Sequence, residues 1–308
     1  MSKIKYINEY LKEKYGERTL KICIDGGFTC PNRDGTKSIN GCIFCSERGS
    51  GEHLKSQLSI NEQVTSSFSS IKIKRANCFI IYFQNYSNTY KTINELKSIY
   101  DEAISSFYEC ATNFKSLNNE EKKLVGLQIA TRPDCINEDI ASLLEEYKKK
   151  LDVVVELGLQ TVNDDEKNFL NRCYTSKDFE KAVTILRQHD IDVVAHIIVG
   201  LPTPSGVETH DDIVKTVNFL NQQDIQGLKI HSCYIVKNTY LEQLYVGKKY
   251  TPILLEVYLE ELDYILTHIS PTVVIHRISG DAPKDLLVAP EWSSHKKLVL
   301  NHFFKLYD

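Results

Sequence analysis

No apolar run in this chain approaches the ~20 residues a bilayer-spanning helix needs, so no segment is expected to enter a membrane. The start, MSKIKYINEYLKEKYGE, has no apolar signal core and reads as an amphipathic helix instead. Without an export signal the expected compartment is the cytosol, where structural disulfides are rare. Nine cysteines, an odd number spread over 308 residues, also fit a disulfide scaffold badly. There is no basic excess: the formal net charge is −4, so no global field announces a nucleic-acid partner. The basic clusters are local, at Lys72, Lys74 and Arg75, at Lys148 to Lys150, at Lys248 and Lys249, and at Lys296 and Lys297. The run at 148–150 reads as charge complementing a helix C-terminus. Low-complexity linkers and internal repeats are missing too.

What is there is an alternation of short β-branched runs with amphipathic stretches. The expected strands are LKICID (20–25), CFIIYFQ (78–84), LVGLQIA (124–130), DVVVELGL (152–159), IDVVAHIIVG (191–200), GLKIHSCYIV (227–236) and TVVIHRI (272–278). Such near-continuous apolar runs suit parallel strands buried on both faces. Helices are expected near 60–75, 92–110, 137–150, 176–189, 207–223, 238–246, 254–269 and 292–305, with SINEQ and TSKDFE as capping starts. Repeated βα units imply a parallel sheet, as a partial or complete βα barrel or as a doubly wound sheet. In either case chemistry belongs at the C-terminal ends of the strands. The expected organisation is an N-terminal helical segment over 1–19, a barrel core over 20–280 and a C-terminal extension over 281–308.

The stretch CPNRDGTKSINGCIFC, residues 30–45, leaves the first strand's C-terminal end carrying Cys30, Cys42 and Cys45. The C-x2-C spacing lets two thiolates reach one metal or neighbouring irons, and soft sulfur selects zinc, copper(I) or iron–sulfur. A closed zinc site needs a fourth ligand, for which His53 is the best candidate. Three cysteines without an obvious fourth suit a 4Fe-4S cluster with one iron left open. Glycines 26, 27, 35, 41, 49 and 51 let this loop turn tightly.

Phe44, directly before Cys45, together with CIDGGFTCPNRDGT, YFQNYSNTY, TRPDC, VELGLQT, NR, HIIVGLP, KIHSCYIVKNT and HRISGDAP, resembles the radical S-adenosyl-L-methionine (SAM) superfamily. Within it the chain is similar to the bacterial single-domain, Elongator-like group that lacks the acetyltransferase domain. Two places depart from the usual pattern: Cys173 and Tyr174 follow NR in place of Gly-His, and GLPTPSGVET replaces GLPGET.

That resemblance implies a radical SAM βα barrel with a 4Fe-4S cluster on Cys30, Cys42 and Cys45, and SAM chelating the open iron. It further implies SAM contacts from Phe44, Gln84, Arg132, Glu156, Gln160, Arg172 and Gly200: Gln84 at the methionine amine, Glu156 and Gln160 at the ribose, and Arg172 at the methionine carboxylate. Lys229 and His231 are the catalytic candidates; an unpaired buried ammonium is costly, so Lys229 needs a reason to be in a strand. The implied substrate is tRNA wobble uridine, with conversion of 5-carboxymethylaminomethyl-uridine to 5-aminomethyl-uridine as the candidate reaction and a flavodoxin or ferredoxin as reductant. Two other readings stay open: a radical SAM oxidoreductase of a small molecule, similar to coproporphyrinogen dehydrogenase through ELGLQT and GLP, and a zinc-holding scaffold without catalysis.

Overall fold

The computed structural model describes residues 4–49, 51–164, 168–280 and 282–307. The first half of the chain runs α1 (Ile7–Tyr15), β1 (Thr19–Ile24), α2 (Ile60–Phe68), β2 (Cys78–Phe83), α3 (Ile93–Asn118), β3 (Lys123–Thr131), α4 (Glu138–Lys148) and β4 (Asp152–Gln160). It continues with α5 (Ser176–Gln188), β5 (Asp192–Val199), β6 (Pro202–Thr203), β7 (Gly206–Val207), α6 (His210–Leu220), β8 (Gly227–Ser232) and β9 (Ile235–Val236). The last elements are α7 (Tyr240–Val246), α8 (Leu255–His268), β10 (Val274–Arg277), β11 (Leu287–Ala289) and α9 (Lys297–Tyr307).

All seven expected strands pair in one parallel sheet of order β1-β2-β3-β4-β5-β8-β10. Their buried outer faces meet the apolar stripes of the helices. Leu96, Tyr100, Ala103 and Phe107 recur at helical spacing on α3, and Phe179, Ala182, Val183 and Leu186 do the same on α5. Ser59 with Glu62, Thr92 with Glu95, Thr175 with Asp178 and Thr209 with Asp212 form capping boxes that fix four helix starts.

The sheet is curled. Laid flat, seven strands would span roughly 29 Å at ~4.8 Å per gap, whereas a nine-residue helix is only ~13.5 Å long. Yet α1 packs against both edge strands, β1 and β10. Just before it, Tyr6 bridges Ile275 in parallel fashion, and Ile275 N–H donates to Lys5 O at 2.9 Å. At its far end Lys14 pairs with Asp152 at 3.0 Å, and the Tyr15 hydroxyl bonds the same carboxylate, at the entry of β4. The N-terminal segment therefore covers the floor of a half-barrel, at the ends opposite the cysteine loop.

Several expectations shift, among them the helix expected over 60–75, which ends at Phe68, and that expected over 292–305, which begins at Lys297. The expected strand 227–236 ends at Ser232; Ile235 and Val236 turn away to pair antiparallel with β11. Ile235 joins a second apolar cluster with Ile43, Leu170, Leu201, Leu241, Leu244, Tyr250 and Ala289. The helix expected from 207 begins at His210 because Thr209 is its cap, and the preceding residues form the β6–β7 ribbon around Gly206, at φ 138°. The helix expected to end near 110 continues to Asn118 and stops on Asn119 in the left-handed conformation. The C-terminal segment is tied to the barrel: Val299 and Phe303 of α9 lie in the main core, and Trp292 Nε1 donates to Ile253 O at 3.1 Å.

Candidate active site

The cysteine loop leaves β1 and is shaped by its own backbone. Arg33 N donates to Cys30 O at 2.8 Å, Gly41 N to Asn32 O at 2.7 Å and Cys45 N to Cys42 O at 2.9 Å. The Arg33 guanidinium caps Cys45 O at 3.1 Å and Ser46 O at 2.6 Å. Gly41 sits beneath it with φ 71°, where a Cβ would lie 3.0 Å from the guanidinium, so only glycine fits this turn. A second loop, 168–174, clamps the first: Asn171 Nδ2 donates to Gly41 O at 2.7 Å, and Asn32 Nδ2 donates to Asn171 O at 2.5 Å.

Around the sulfurs, Asn32 Nδ2 lies 3.7 Å from Cys42 Sγ, and Arg132 Nη1 lies 3.9 Å from Cys30 Sγ. Burial pushes the Cys42 thiol up to about 12 and raises Cys45 as well; the proximity of the other cysteines adds to both shifts, while Arg132 and Arg33 oppose them. The Cys42 and Cys45 thiols resist ionisation despite the two arginines, and iron supplies the further positive charge they need: a coordinating thiol is deprotonated outright. The donor set, three soft sulfurs and no protein fourth, fits a 4Fe-4S cluster. Among the described residues no three Cys, His, Asp or Glu side chains converge as a single-ion site requires, so His53 does not complete a zinc site. Cluster ligation makes a different demand, one thiolate per iron.

Arg132 leaves β3 and is held by Asp134 in a two-pronged pair at 2.9 and 2.8 Å, with Lys37 on the same carboxylate at 2.6 Å. Its Nη2 also donates to Arg172 O at 2.9 Å. Phe44 packs against the second apolar cluster. Gln84 follows β2 directly and is half-buried. Gly200 ends β5 at φ 84°, its N–H donating to Glu208 and its carbonyl accepting from the Tyr250 hydroxyl at 2.7 Å. Gln160, at φ 61°, has its side-chain oxygen bonded by the Tyr174 hydroxyl.

Arg172, expected at the methionine carboxylate, is already engaged by the protein. Its side chain has no exposure, and four donors are already used. Nη1 reaches Leu159 O and Thr161 O, both at 2.6 Å, and Nη2 reaches Asp164 Oδ1 at 2.7 Å and Asn163 O at 3.4 Å. This side chain staples the end of β4 to the clamp loop; only Nε, which lacks a partner, is left for anything else. Arg172→Lys is therefore expected to cost about 2–3 kcal/mol of stability, because a fork that satisfies buried carbonyls becomes a single ammonium. A lower urea midpoint checks it. An unchanged midpoint with weakened SAM binding would return Arg172 to the carboxylate role.

Below the loops, inside the curl, every strand contributes a polar residue: Lys21 of β1, Tyr82 of β2, Gln128 of β3, Glu156 of β4, His196 of β5, Lys229 and His231 of β8, and His276 and Arg277 of β10. Glu156 is the hub, 4% exposed. Its Oε2 accepts from Tyr82 at 2.5 Å and from Lys229; its Oε1 accepts from Gln128 and pairs with Lys21 at 3.6 Å. Burial alone would raise the Glu156 carboxyl, but Lys229 and Lys21 outweigh it and hold it well below the usual carboxylate range. Lys229 shows the reverse balance: burial lowers its ammonium to about 7, against the pull of Glu156. The pair is read as ionised, since Glu156 has four charged or hydrogen-bonding donors and no competing anion among the described residues. Both ammoniums also stand 4.8 Å from the Tyr82 ring centre. Glu156, expected at a ribose, thus has both oxygens occupied inside the barrel. Sequence reasoning missed Lys21, Tyr82, Gln128, His276 and Arg277, although each interrupts an otherwise apolar strand.

Residues 30–220 match the Radical SAM superfamily and residues 225–305 match the Radical_SAM C-terminal domain. The chain is 33% identical to YtqA of Bacillus subtilis over 299 residues, covering 96% of this chain and 86% of that one. It is 28% identical over 169 residues to the tRNA uridine(34) acetyltransferase of Methanocaldococcus jannaschii, covering 54% of this chain but 30% of that protein. In fold it is similar to the Elp3 of Methanocaldococcus infernus, with a TM-score of 0.68 at 16% identity, covering 94% of this chain and 63% of that one. With its cysteine loop at the mouth of a parallel half-barrel, the chain belongs to the radical SAM superfamily, whose enzymes use a 4Fe-4S cluster and SAM.

Proposed function

We propose that this radical SAM enzyme modifies tRNA wobble uridine, converting 5-carboxymethylaminomethyl-uridine to 5-aminomethyl-uridine. The observation that carries the reading is the similarity over 54% of the chain to a protein named tRNA uridine(34) acetyltransferase. The Elp3-like curl of the sheet supports it at the level of fold. Only the part of that relative matched here is carried over, so acetyl transfer is not.

In this reading Cys30, Cys42 and Cys45 hold the cluster, and Arg132 stands beside Cys30 as a positive neighbour. Phe44, Gln84 and Gly200 line the cofactor's side of the mouth. Cluster and SAM together supply one-electron cleavage and hydrogen-atom abstraction. The carboxymethyl arm would lose a hydrogen atom, then an electron, returned to the cluster, and a proton, released to water; water would add to the resulting C=N bond, and the arm would leave as glyoxylate. SAM would serve as the two-electron oxidant, giving methionine and 5′-deoxyadenosine, and a flavodoxin or ferredoxin would prime the cluster with its first electron. The polar lumen, with Lys229 and His231, receives the arm.

Nucleoside mass spectrometry of tRNA from a strain lacking the gene tests this reading. The carboxymethylaminomethyl form is expected to accumulate at the expense of the aminomethyl form. An unchanged profile would pass the enzyme to small-molecule oxidation.

A further inference from the structure

The lumen carries more positive charge than its own carboxylate can offset. On the strands its charged groups are Lys21, Lys229, Arg277 and Glu156, three cations against one anion, with Glu52 of the cysteine loop acting on Tyr234 from the mouth side. The neutral side chains around them are Cys23, Tyr82, Gln128, His196, His231 and His276; Asp281, which follows β10, lies outside the described residues. Burial holds all three histidines far below their usual range, His196 and His276 down to about 3, so they add no charge.

The hydrogen bonding is equally incomplete. Lys229 uses two of its three protons, on Glu156 and on Tyr82 at 3.1 Å. Arg277 has no hydrogen-bond or ion-pair partner among the described residues. His196 Nε2, His231 Nε2 and His276 Nδ1 are buried without partners, although a buried polar atom normally finds one. The ring centres of His196 and His231 lie 4.2 Å apart, tilted by 53°. Gly227 leaves the space His276 needs, since a Cβ there would stand 2.7 Å from its Nε2.

One further feature says the gap is a cavity and not a packing fault. Protein surrounds the three histidines deeply enough to suppress their protonation, yet each keeps measurable surface exposure and counts as half-buried. Side chains that are deeply enclosed yet partly accessible line an internal cleft.

We propose that this lumen is a carboxylate subsite in which Lys229 and Arg277 receive the acidic end of the substrate, with the neutral His196 and His231 completing its hydrogen bonds. Glu156 is then a positioning residue: it holds Lys229 upright through one proton and leaves another pointing at the ligand. Arginine's planar fork and lysine's remaining N–H together match the two oxygens of a carboxylate. The bound anion also removes part of the charge excess, so binding is favoured by the repulsion it relieves. The inference rests on the proposed reaction in one respect only: the carboxymethyl arm is the acidic end that the reaction would place there.

The test compares charged and uncharged probes on protein reconstituted with its cluster and saturated with SAM, whose own carboxylate is then already accommodated. One pair is 5-carboxymethylaminomethyl-uridine and its carboxamide; the other is N-benzylglycine and its carboxamide. A carboxylate is expected to bind at least about tenfold more tightly than its amide, the loss expected for a charge-assisted hydrogen bond. Lys229→Met should erase that preference, and Arg277→Gln, at a half-buried position that bonds nothing among the described residues, should weaken it. Equal binding of acid and amide in the wild type, in both pairs, overturns the subsite without appeal to any variant. A preference that survives both substitutions overturns it too, by placing the anion elsewhere. A preference in the glycine pair alone supports the subsite and counts against wobble uridine as substrate.

Discussion

Alanine at Cys42 is expected to abolish cluster assembly and, with it, all reductive cleavage of SAM. On the proposed assignment the loop would give the cluster three sulfurs and no spare, and alanine cannot remake a lost iron–sulfur bond. The same outcome is expected at Cys30 and Cys45, whereas Cys78→Ala should load normally: its sulfur is buried at the entry of β2, at the floor end of the sheet. Iron and acid-labile sulfide content after anaerobic reconstitution, alongside 5′-deoxyadenosine formation, reads both effects. Wild-type iron in the three loop variants would remove these cysteines from the metal; lost iron in Cys78→Ala would reveal a ligand outside the loop.

Glu156→Leu is expected to be the most damaging single change to the fold itself. It strips the shared counter-ion from Lys229 and Lys21 and leaves two ammoniums buried against the Tyr82 ring. Breaking a buried pair from one side typically costs about 3–5 kcal/mol, a large part of the 5–15 kcal/mol by which a domain is stable. Removing one cation as well, in Glu156→Leu with Lys229→Met, should recover a good share, since an apolar replacement of a whole pair is often neutral. Urea midpoints of the apo protein measure the cycle. Additive losses in the double variant would mean the two side chains are not coupled, and the lumenal network as described would be wrong.

The barrel strands could be read in advance because each is a run of β-branched residues bounded by polar segments, and parallel strands buried on both faces leave that mark. The cysteine loop could be read because soft ligands at C-x2-C spacing have few other uses. Arg172 could not. Nothing local distinguishes an arginine that grips a ligand from one that satisfies the carbonyls of Leu159 and Thr161, since those partners come from another element. The lumen was half visible. Glu156, Lys229 and His231 stood out, but Tyr82 and Gln128 pass individually as ordinary strand residues. Their meaning emerges only when seven strands are set side by side and the odd polar residue of each falls on the same inner surface. The bend after Ser232 was hidden for a similar reason: Ile235 and Val236 are as β-prone as what precedes them, and it is Leu287 to Ala289, far downstream, that draws them away.

The floor of the half-barrel sets an order of events during synthesis. Lys5 and Tyr6 leave the ribosome before β1, yet their backbone partner is Ile275 in the last strand of the sheet. Until β10 has emerged, Lys5 and Tyr6 have no strand to bridge, and β1 presents an unpaired flank of its own. The closure is a long-range contact of the kind that forms late, after most of the loop entropy has been spent. A nascent chain halted before residue 274 would therefore carry a sheet open at both sides, with its cysteine loop already made and its base not yet sealed.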